Sequence, residues 1–392
     1  MKHTWIKNFA GITAMSAMIV GQTARADYGK LLDTLRDNGT ITAEQAESLK
    51  AQRVRPAGRF VQDMQIRGRV QTQFGYTTVD NDEGSSDYST FEIRRARIGL
   101  RNTFLNNYRA QLEANLVPGS SLSMRSAYIE WRAHKEAYVK AGFDKPFSTM
   151  EEDTSSASIL TVERSLISNT VAPGAMTGLS VSGDLGGLFY GAGVYNDQAN
   201  RNPDNTASEY LINLHAGFNL DGIAGDGSKL KILGSYLTSD DASGQLGYDD
   251  VYAIAFHFAQ GAFDLRSEYI LAENDGDTTS GFYIMPSVKL SDKLEGVFRY
   301  EYAESDKSTG LRAASRYARR AEDMSVRDET EDTPKFDPQR GDEYWAAYIG
   351  LNYYIQGNGN KLMLGLEFSE LENTDAGTLE ATTVYGAWRT LF

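Results

Sequence analysis

The sequence predicts an all-β protein, a transmembrane antiparallel β-barrel of about sixteen strands with a short helical segment in front of it. Three observations carry this expectation. After Pro56 the apolar residues change from helical spacing to alternation, and the alternation runs to the end of the chain. The alternating stretches are about nine to eleven residues long, enough for a tilted strand to cross a bilayer. Their connections also sort by length, short turns taking turns with long loops. A soluble sandwich alternates as well, but it has no reason to sort its loops.

The chain opens with Lys2 and Lys7, an apolar small-residue run from about Phe9 to Gly21, and Ala24-Arg25-Ala26. This is the pattern of a secretory signal peptide, residues 1–26, cleaved before Asp27. The apolar run is too short to span a bilayer as a helix, and no later stretch is long enough either. The sequence contains no cysteine, so an exported chain of this size must bury its surface without disulfides. The full sequence has a net charge of −14. Removing the leader takes away three cations and no acid, so the mature chain is more acidic still. Abundant Tyr (22) and Phe (17) against only 8 Pro favour strands.

Residues 27–57 read as a periplasmic helical hairpin. Leu31, Leu32 and Leu35 recur at helical spacing, Asn38-Gly39 ends a first helix, and Thr42 with Gln45 makes a capping box for a second. A role in trimer formation or wall contact is an alternative to a plain spacer.

Residues 58–392 form the expected barrel. "MQIRGRVQTQFGY" places Met64, Ile66, Val70, Phe74 and Tyr76 on one face, with Arg67 and Arg69 on the other. "YRAQLEANL", "SAYIEWR" and "AYVKAGFD" alternate in the same way, with Arg109, Glu113, Glu130, Arg132 and Lys140 on their polar faces. Downstream, "EYLINLHAGFNL", "VYAIAFHF" and "KLMLGLEF" repeat the pattern. Short turns are expected near 106–107, 134–136, 184–187, 291–293 and 357–360. Long loops are expected at about 77–90, 144–175, 196–208, 239–250, 272–281, 303–341 and 369–380. The terminal Phe392, on an amphipathic strand, fits the signal for insertion into an outer membrane.

The stretch "FEIRRARIGLR" carries four arginines beside one acid, Glu92. If Ala96, Ile98 and Leu100 face lipid, then Arg95, Arg97 and Arg101 face the lumen. An arginine facing lipid at the midplane would cost about 2–4 kcal/mol. Arg94 has the opposite parity and is expected near the rim. With Arg67, Arg69, Arg109, Arg132 and Lys140, these arginines form a cationic sector of wall. A row of such cations selects anions in pores. The bland alternative is that they pair with Glu113 and Glu130 and only brace the wall.

The segment 144–175, with its apolar run Ile159-Leu160-Thr161-Val162, is too long to float free. It is expected to fold into the barrel and set a constriction. Lys145 and Arg164 are then eyelet cations. Glu151, Glu152, Asp153 and Glu163 lie in the same loop and oppose simple anion selectivity.

"FEIRRARIGL", "AYIEWRAHKEAYVKAGFDKPFS", "VERSLI" and "GDEYWAAYIGLNYYIQGN" resemble the phosphate-selective porin O and P family. The resemblance implies a sixteen-stranded outer-membrane barrel of a Gram-negative-type bacterium, a homotrimer, and passive uptake of phosphate, polyphosphate or related anions without a cofactor. It also implies an arginine ladder and a lysine cluster, roles open here to Arg67, Arg69, Arg95, Arg97, Arg109, Arg132, Lys140, Lys145 and Arg164. Lipids and lipopolysaccharide are expected partners; nucleic acid is not. The chain departs from this picture in its acidic loops: Asp80, Asp82 and Glu83; Asp240 and Asp241; Asp249 and Asp250; Asp275 and Asp277.

No enzyme is expected. The mature chain has only His134, His215 and His257, and it lacks H-E-x-x-H, G-x-S-x-G and P-loop spacings. "DNDEGSSD" at 80–87 lacks the bidentate Glu and helical flanks of a calcium loop, so no metal is assigned. Two functional alternatives remain. One is a general or cation-preferring diffusion porin. The other is a structural or adhesive barrel, in which the 303–341 loop binds a partner through its basic (Arg312, Arg316, Arg319, Arg320) and acidic (Asp328, Glu329, Glu331, Asp332) runs.

Overall fold

The computed structural model describes residues 61–392, except 82–83, 106, 135, 198–209, 224, 241–243, 314, 326–339 and 376, together with Arg36 and Thr42. The chain divides into two compact units, residues 1–66 and 67–392. In the first, Arg36 is helical and residues 61–66 are extended. The expected leader and most of the expected hairpin lie outside the described residues.

Sixteen strands close into one antiparallel barrel. They are β1 (Val61–Asn81), β2 (Gly84–Phe104), β3 (Tyr108–Asn115), β4 (Ser123–His134), β5 (Ala137–Asp144), β6 (Met176–Leu185), β7 (Leu188–Asn196) and β8 (Tyr210–Asn219). Then come β9 (Lys229–Ser239), β10 (Asp250–Gln260), β11 (Phe263–Asn274), β12 (Asp277–Lys289), β13 (Leu294–Ser305), β16 (Glu343–Gln356), β17 (Asn360–Asn373) and β18 (Gly377–Leu391). A two-stranded piece, β14 (Leu311–Arg312) with β15 (Arg340–Gly341), lies in the connection between β13 and β16. Three short helices complete the described elements: α1 (Met150–Asp153), α2 (Leu166–Thr170) and α3 (Arg316–Ser325).

Closure joins β1 to β18 in register, with Arg69 opposite Leu391 and Thr78 opposite Thr382. At the seam Gly68 and Phe392 exchange backbone hydrogen bonds of 2.6 and 3.1 Å. A side chain at position 68 would collide with the Phe392 ring, so only glycine lets the terminal aromatic lie flat there. Closure leaves no free strand edge, which is the condition for strands in lipid.

The barrel is inside-out relative to a soluble protein. Its exposed residues are the apolar half of the alternation: Ile129, Ile212, Leu214, Phe218, Ile254, Leu364 and Trp388 are each about half exposed. Its buried residues include Glu268, Arg299, Glu301, Lys361, Glu367 and Arg389. Apolar side chains cover the outer wall, and the interior holds these charged residues together with apolar clusters.

Three expected loops are instead strand. β1 and β2 continue to Asn81 and from Gly84, β11 and β12 meet at 275–276, and β17 and β18 meet at 374–376. Where hairpins rise above the lipid band both faces meet water, so apolar alternation is no longer required and polar sequence stays paired. The expected short turns are present. The connection 116–122 between β3 and β4 is also short.

Candidate functional site

The loop 145–175 folds into the barrel as expected. Leu160 and Val162 are buried against Tyr283, Met285, Val297, Tyr317, Tyr348, Met363 and Tyr385. A backbone inside a lumen has no ladder partner, and its polar groups must still be satisfied. Wall side chains supply the partners. Lys361 Nζ donates to Ile159 O (2.7 Å), Asn352 Nδ2 to Leu160 O (2.8 Å) and Arg299 to Glu163 O (2.9 Å). Arg389 donates to Ser156 O (2.8 Å) and Val162 O (2.5 Å). In the other direction, Met150 N and Glu151 N donate to Glu268, and Leu166 N donates to Glu301 (2.7 Å).

These fastenings crowd one side of the lumen. Most inward residues of β12, β13 and β16 to β18 are buried, whereas Gln111, Glu113, Asn115, Tyr128, Glu130 and Lys140 on β3 to β5 are only partly buried. The less buried side of the lumen is therefore β3 to β5, beside the arginines of β2, whereas Gln71 and Gln73 of β1 are buried against the loop.

On that wall the cations divide by partner. Arg97 reaches Glu113 at 3.5 Å and Asn115 at 2.9 Å. Arg109 (3.4 Å) and Arg132 (2.7 Å) share Glu130. Lys140 pairs with Asp144 at 2.8 Å. By contrast, Arg95 donates to Gln71 (3.1 Å) and Arg101 to Gln111 (2.6 and 2.8 Å). Arg69 donates to Ser155 and Ser156. None of these last acceptors is charged. The bracing alternative therefore describes Arg97, Arg109 and Arg132, and not Arg69, Arg95 or Arg101. Arg67 lies exposed beyond the last residue of β18, at the short-turn rim, away from the constriction.

Two arginines sit where alternation did not place them. Arg94 is not at the rim: it points inward and grips Glu163 of the loop with contacts of 2.8 and 3.1 Å. Phe91 and Ile93 are exposed on the lipid side, while Glu92, Arg94, Arg95 and Arg97 all contact lumen groups. Inward parity thus shifts by one residue between Arg94 and Arg95. The same happens in β4. Glu113 faces Ser126 but Ala114 faces Met124, so Arg125 is the extra residue of a bulge. It lies within electrostatic reach of Arg69, Arg97 and Lys145. It makes no hydrogen bond or ion pair among the described residues. The sequence carried no signal for this bulge.

The loop's own charges are largely neutralised. Glu152 serves both Lys145 and, at 3.6 Å, Arg164. Arg164 also donates to Glu151 O (3.0 Å) and Thr154 O (2.7 Å). Glu151 is turned away from the passage, accepting from Ser165 (2.6 Å) and facing Arg299 at 3.7 Å. Burial opposes ionisation of Glu163, but Arg94 outweighs it and holds the carboxyl well below the usual range. Asp153 alone among the four loop acids is exposed and without an ion pair in the described residues, though Lys231, Lys140 and Lys145 lie within its electrostatic reach.

Among the further lumen cations that parity makes legible are Arg299, Lys361 and Arg389. Arg299 sits between Glu151, Glu301 (3.2 Å) and Glu367 (3.3 Å), and all three cations fasten the loop.

The described part of the 306–342 connection also turns into the barrel. Tyr317 of α3 packs on Tyr385, with ring centroids 5.9 Å apart, and donates to Glu92 (3.0 Å). Its ring occupies the space a side chain at Gly75 would fill. The expected solvated loop is, over its described part, a second inward element.

A barrel with this architecture has many structural relatives at low identity. The chain superposes on an anion-selective porin from Comamonas acidovorans with a TM-score of 0.57 at 14% identity, covering 84% of this chain and 99% of that one. It superposes on the outer membrane channel DcaP of Acinetobacter baumannii with a TM-score of 0.53 at 12% identity, covering 84% and 97%. OmpT of Vibrio cholerae in its trimer form gives 0.53 at 11% identity, covering 84% and 99%. Such identities establish the fold alone. A search of curated proteins by sequence returned no match. The family model described as phosphate-selective porin O and P matches residues 64–387. With that match running over nearly the whole barrel, the chain belongs to the phosphate-selective porin O and P family and forms an outer-membrane channel.

Proposed function

We propose that the protein is a passive diffusion channel for small anions such as phosphate or polyphosphate. The observation that carries this reading is the imbalance on the open wall. Arg69, Arg95 and Arg101 hydrogen-bond only neutral groups, Arg125 has no described partner, and Glu130 and Glu152 each divide between two cations. The lumen carboxylates Glu113, Glu130 and Asp144 each have a cation beside them, but not every cation has a carboxylate. Arg97, Arg109, Arg132 and Lys140 extend the cationic track along β2 to β5. Lys145 and Arg164 mark its narrowest part beside the loop. Guanidinium groups suit phosphate because their planar fork donates in pairs. The solved porin from Comamonas acidovorans, described as anion-selective, shares the fold.

The exposed carboxylate of Asp153 and the acidic outer loops favour a second reading, a general or cation-preferring pore. Reversal potentials across planar bilayers under a KCl gradient, then under a phosphate gradient, separate the two. The anion reading expects a sign set by chloride and phosphate; a potassium-set sign refutes it. A barrel that conducts nothing would favour a structural role.

We also propose a homotrimer, the assembly stated for the OmpT relative. Native mass measurement in mild detergent should give three copies; a monomer would remove this part and leave the fold untouched.

A further inference from the structure

Two inward elements lean on the wall, and they are fastened differently. The 145–175 loop buries Ile159, Leu160, Val162, Leu166, Ile167 and Val171. Buried wall side chains donate to its backbone at Ser156, Ile159, Leu160, Val162 and Glu163. α3 has one large buried side chain, Tyr317; the others it buries among the described residues are Ala318 and Ala321. Three of its contacts to the wall end on one carboxylate. Glu92 of β2 accepts from the Tyr317 hydroxyl (3.0 Å) and lies 3.1 Å from Arg316 and 3.5 Å from Arg320. Two neutral contacts flank them: Ser315 Oγ lies 3.1 Å from Thr383 Oγ1 of β18, and Ser86 Oγ donates to Ala321 O (3.2 Å). Arg316 is 25% and Arg320 37% exposed, so water and salt reach both ion pairs. Between α3 and α2 lies a cavity of about 560 Å³, with Asn169 and Thr170 on one side and Arg316 and Arg320 on the other. α3 therefore has room to leave its place without unpacking the constriction. An element with little buried apolar surface and exposed polar contacts opens at a lower free energy than one held as the loop is.

We propose that α3 is a strap that alternates between this docked position and a released one, latched by the Glu92 carboxylate. Docked, Tyr317 fills the space at Gly75, and α3 narrows the lumen beside β1 and β2. Released, it carries Arg316 and Arg320 away and leaves Glu92 facing the lumen, two residues before Arg94. The released channel is wider, and it holds less positive charge beside Arg94 than the docked one. The latch is the one acid of the arginine stretch, so a single strand carries both the selective cations and the hold on the strap. The strap rests on the channel reading for its effect on current, and on the contacts of α3 alone for docking.

The chain has no cysteine, so Ser315→Cys puts a single thiol at a position that is 1% exposed while α3 is docked. Labelling of that thiol by a neutral maleimide, in the full-length detergent-solubilised protein, reports release. Glu92→Gln, and separately Arg316→Gln with Arg320→Gln, should each speed labelling about threefold or more, since each breaks both exposed ion pairs. Combining the three substitutions should add nothing further, because they remove the same contact. Raising KCl from about 0.1 to about 1 M should speed labelling where Glu92 is intact and not in Glu92→Gln. In planar bilayers the same variants should spend more time in a state of higher conductance. Heat-modifiable migration on gels confirms that each variant is assembled. Assembled variants that label at the wild-type rate, or whose effects add, refute the latch; faster labelling with unchanged conductance refutes the strap as a gate. Labelling that follows Glu92 in a barrel that conducts nothing would keep the docking and remove the channel reading; a channel whose labelling and conductance ignore Glu92 would do the reverse.

Discussion

Replacing Arg95 and Arg97 with glutamine should carry the pore from anion-preferring to nearly unselective. Arg95 meets only Gln71, and Arg97 meets Glu113 at a loose 3.5 Å. An ion passing about 6 Å from one guanidinium in water feels about 0.7 kcal/mol. Screening over about 8 Å at physiological salt reduces this to about 0.3 kcal/mol. The anion is attracted and the cation repelled, so the difference is about 0.6 kcal/mol, roughly threefold in the permeability ratio for each arginine. Two arginines give roughly tenfold. This is a lower bound, because charges beside a low-dielectric constriction are screened less and because Arg97→Gln also leaves Glu113 without its cation. In a tenfold KCl gradient an ideally selective pore reads about 59 mV, and a tenfold preference about 40 mV. The double variant should fall from at least that value toward zero while still assembling. A wild type that already prefers potassium, or a double variant with an unchanged potential, refutes the reasoning and returns control of the pore to Asp153 and the outer acids.

Three other outcomes follow from the architecture. The protein should fractionate with the outer membrane and keep its folded mobility in SDS until heated, because a closed barrel offers no strand edge; recovery as a soluble periplasmic species would contradict the fold. Gly75→Ala should displace Tyr317 and loosen α3 from the wall, raising single-channel conductance, whereas an unchanged conductance would mean that α3 does not narrow the mouth. Arg299→Met should leave Glu151, Glu301 and Glu367 buried without their shared cation, a cost of about 3–5 kcal/mol. It should appear as a lower heat-modification temperature and noisier current; wild-type behaviour would show that the apolar contacts of Leu160 and Val162 hold the loop by themselves.

The sequence by itself determined the barrel, because side chains alternate across a strand and lipid accepts only one half of that alternation. Ile212, Leu214 and Phe218 could face nothing but lipid, and the opposite residues could face nothing but the lumen. It also determined that the 145–175 loop turns inward, since Ile159 to Val162 had no other place to be buried. Alternation failed where a strand gains a residue. Arg94 and Arg125 face the lumen through local shifts that depend on the neighbouring strand's register, which the strand's own sequence does not contain. Nor could it show which arginines would find carboxylates: Arg95 and Arg97 look alike in "RRARIG", yet only Arg97 lies across from β3's Asn115 and next to Glu113. The inward path of α3 was hidden for the same reason. Its basic residues read as solvated surface until Tyr317 is seen to fill the space left by Gly75, and Arg316 and Arg320 to share Glu92. Period fixes which face a residue takes; only the closed barrel brings residues two hundred positions apart within reach of one another.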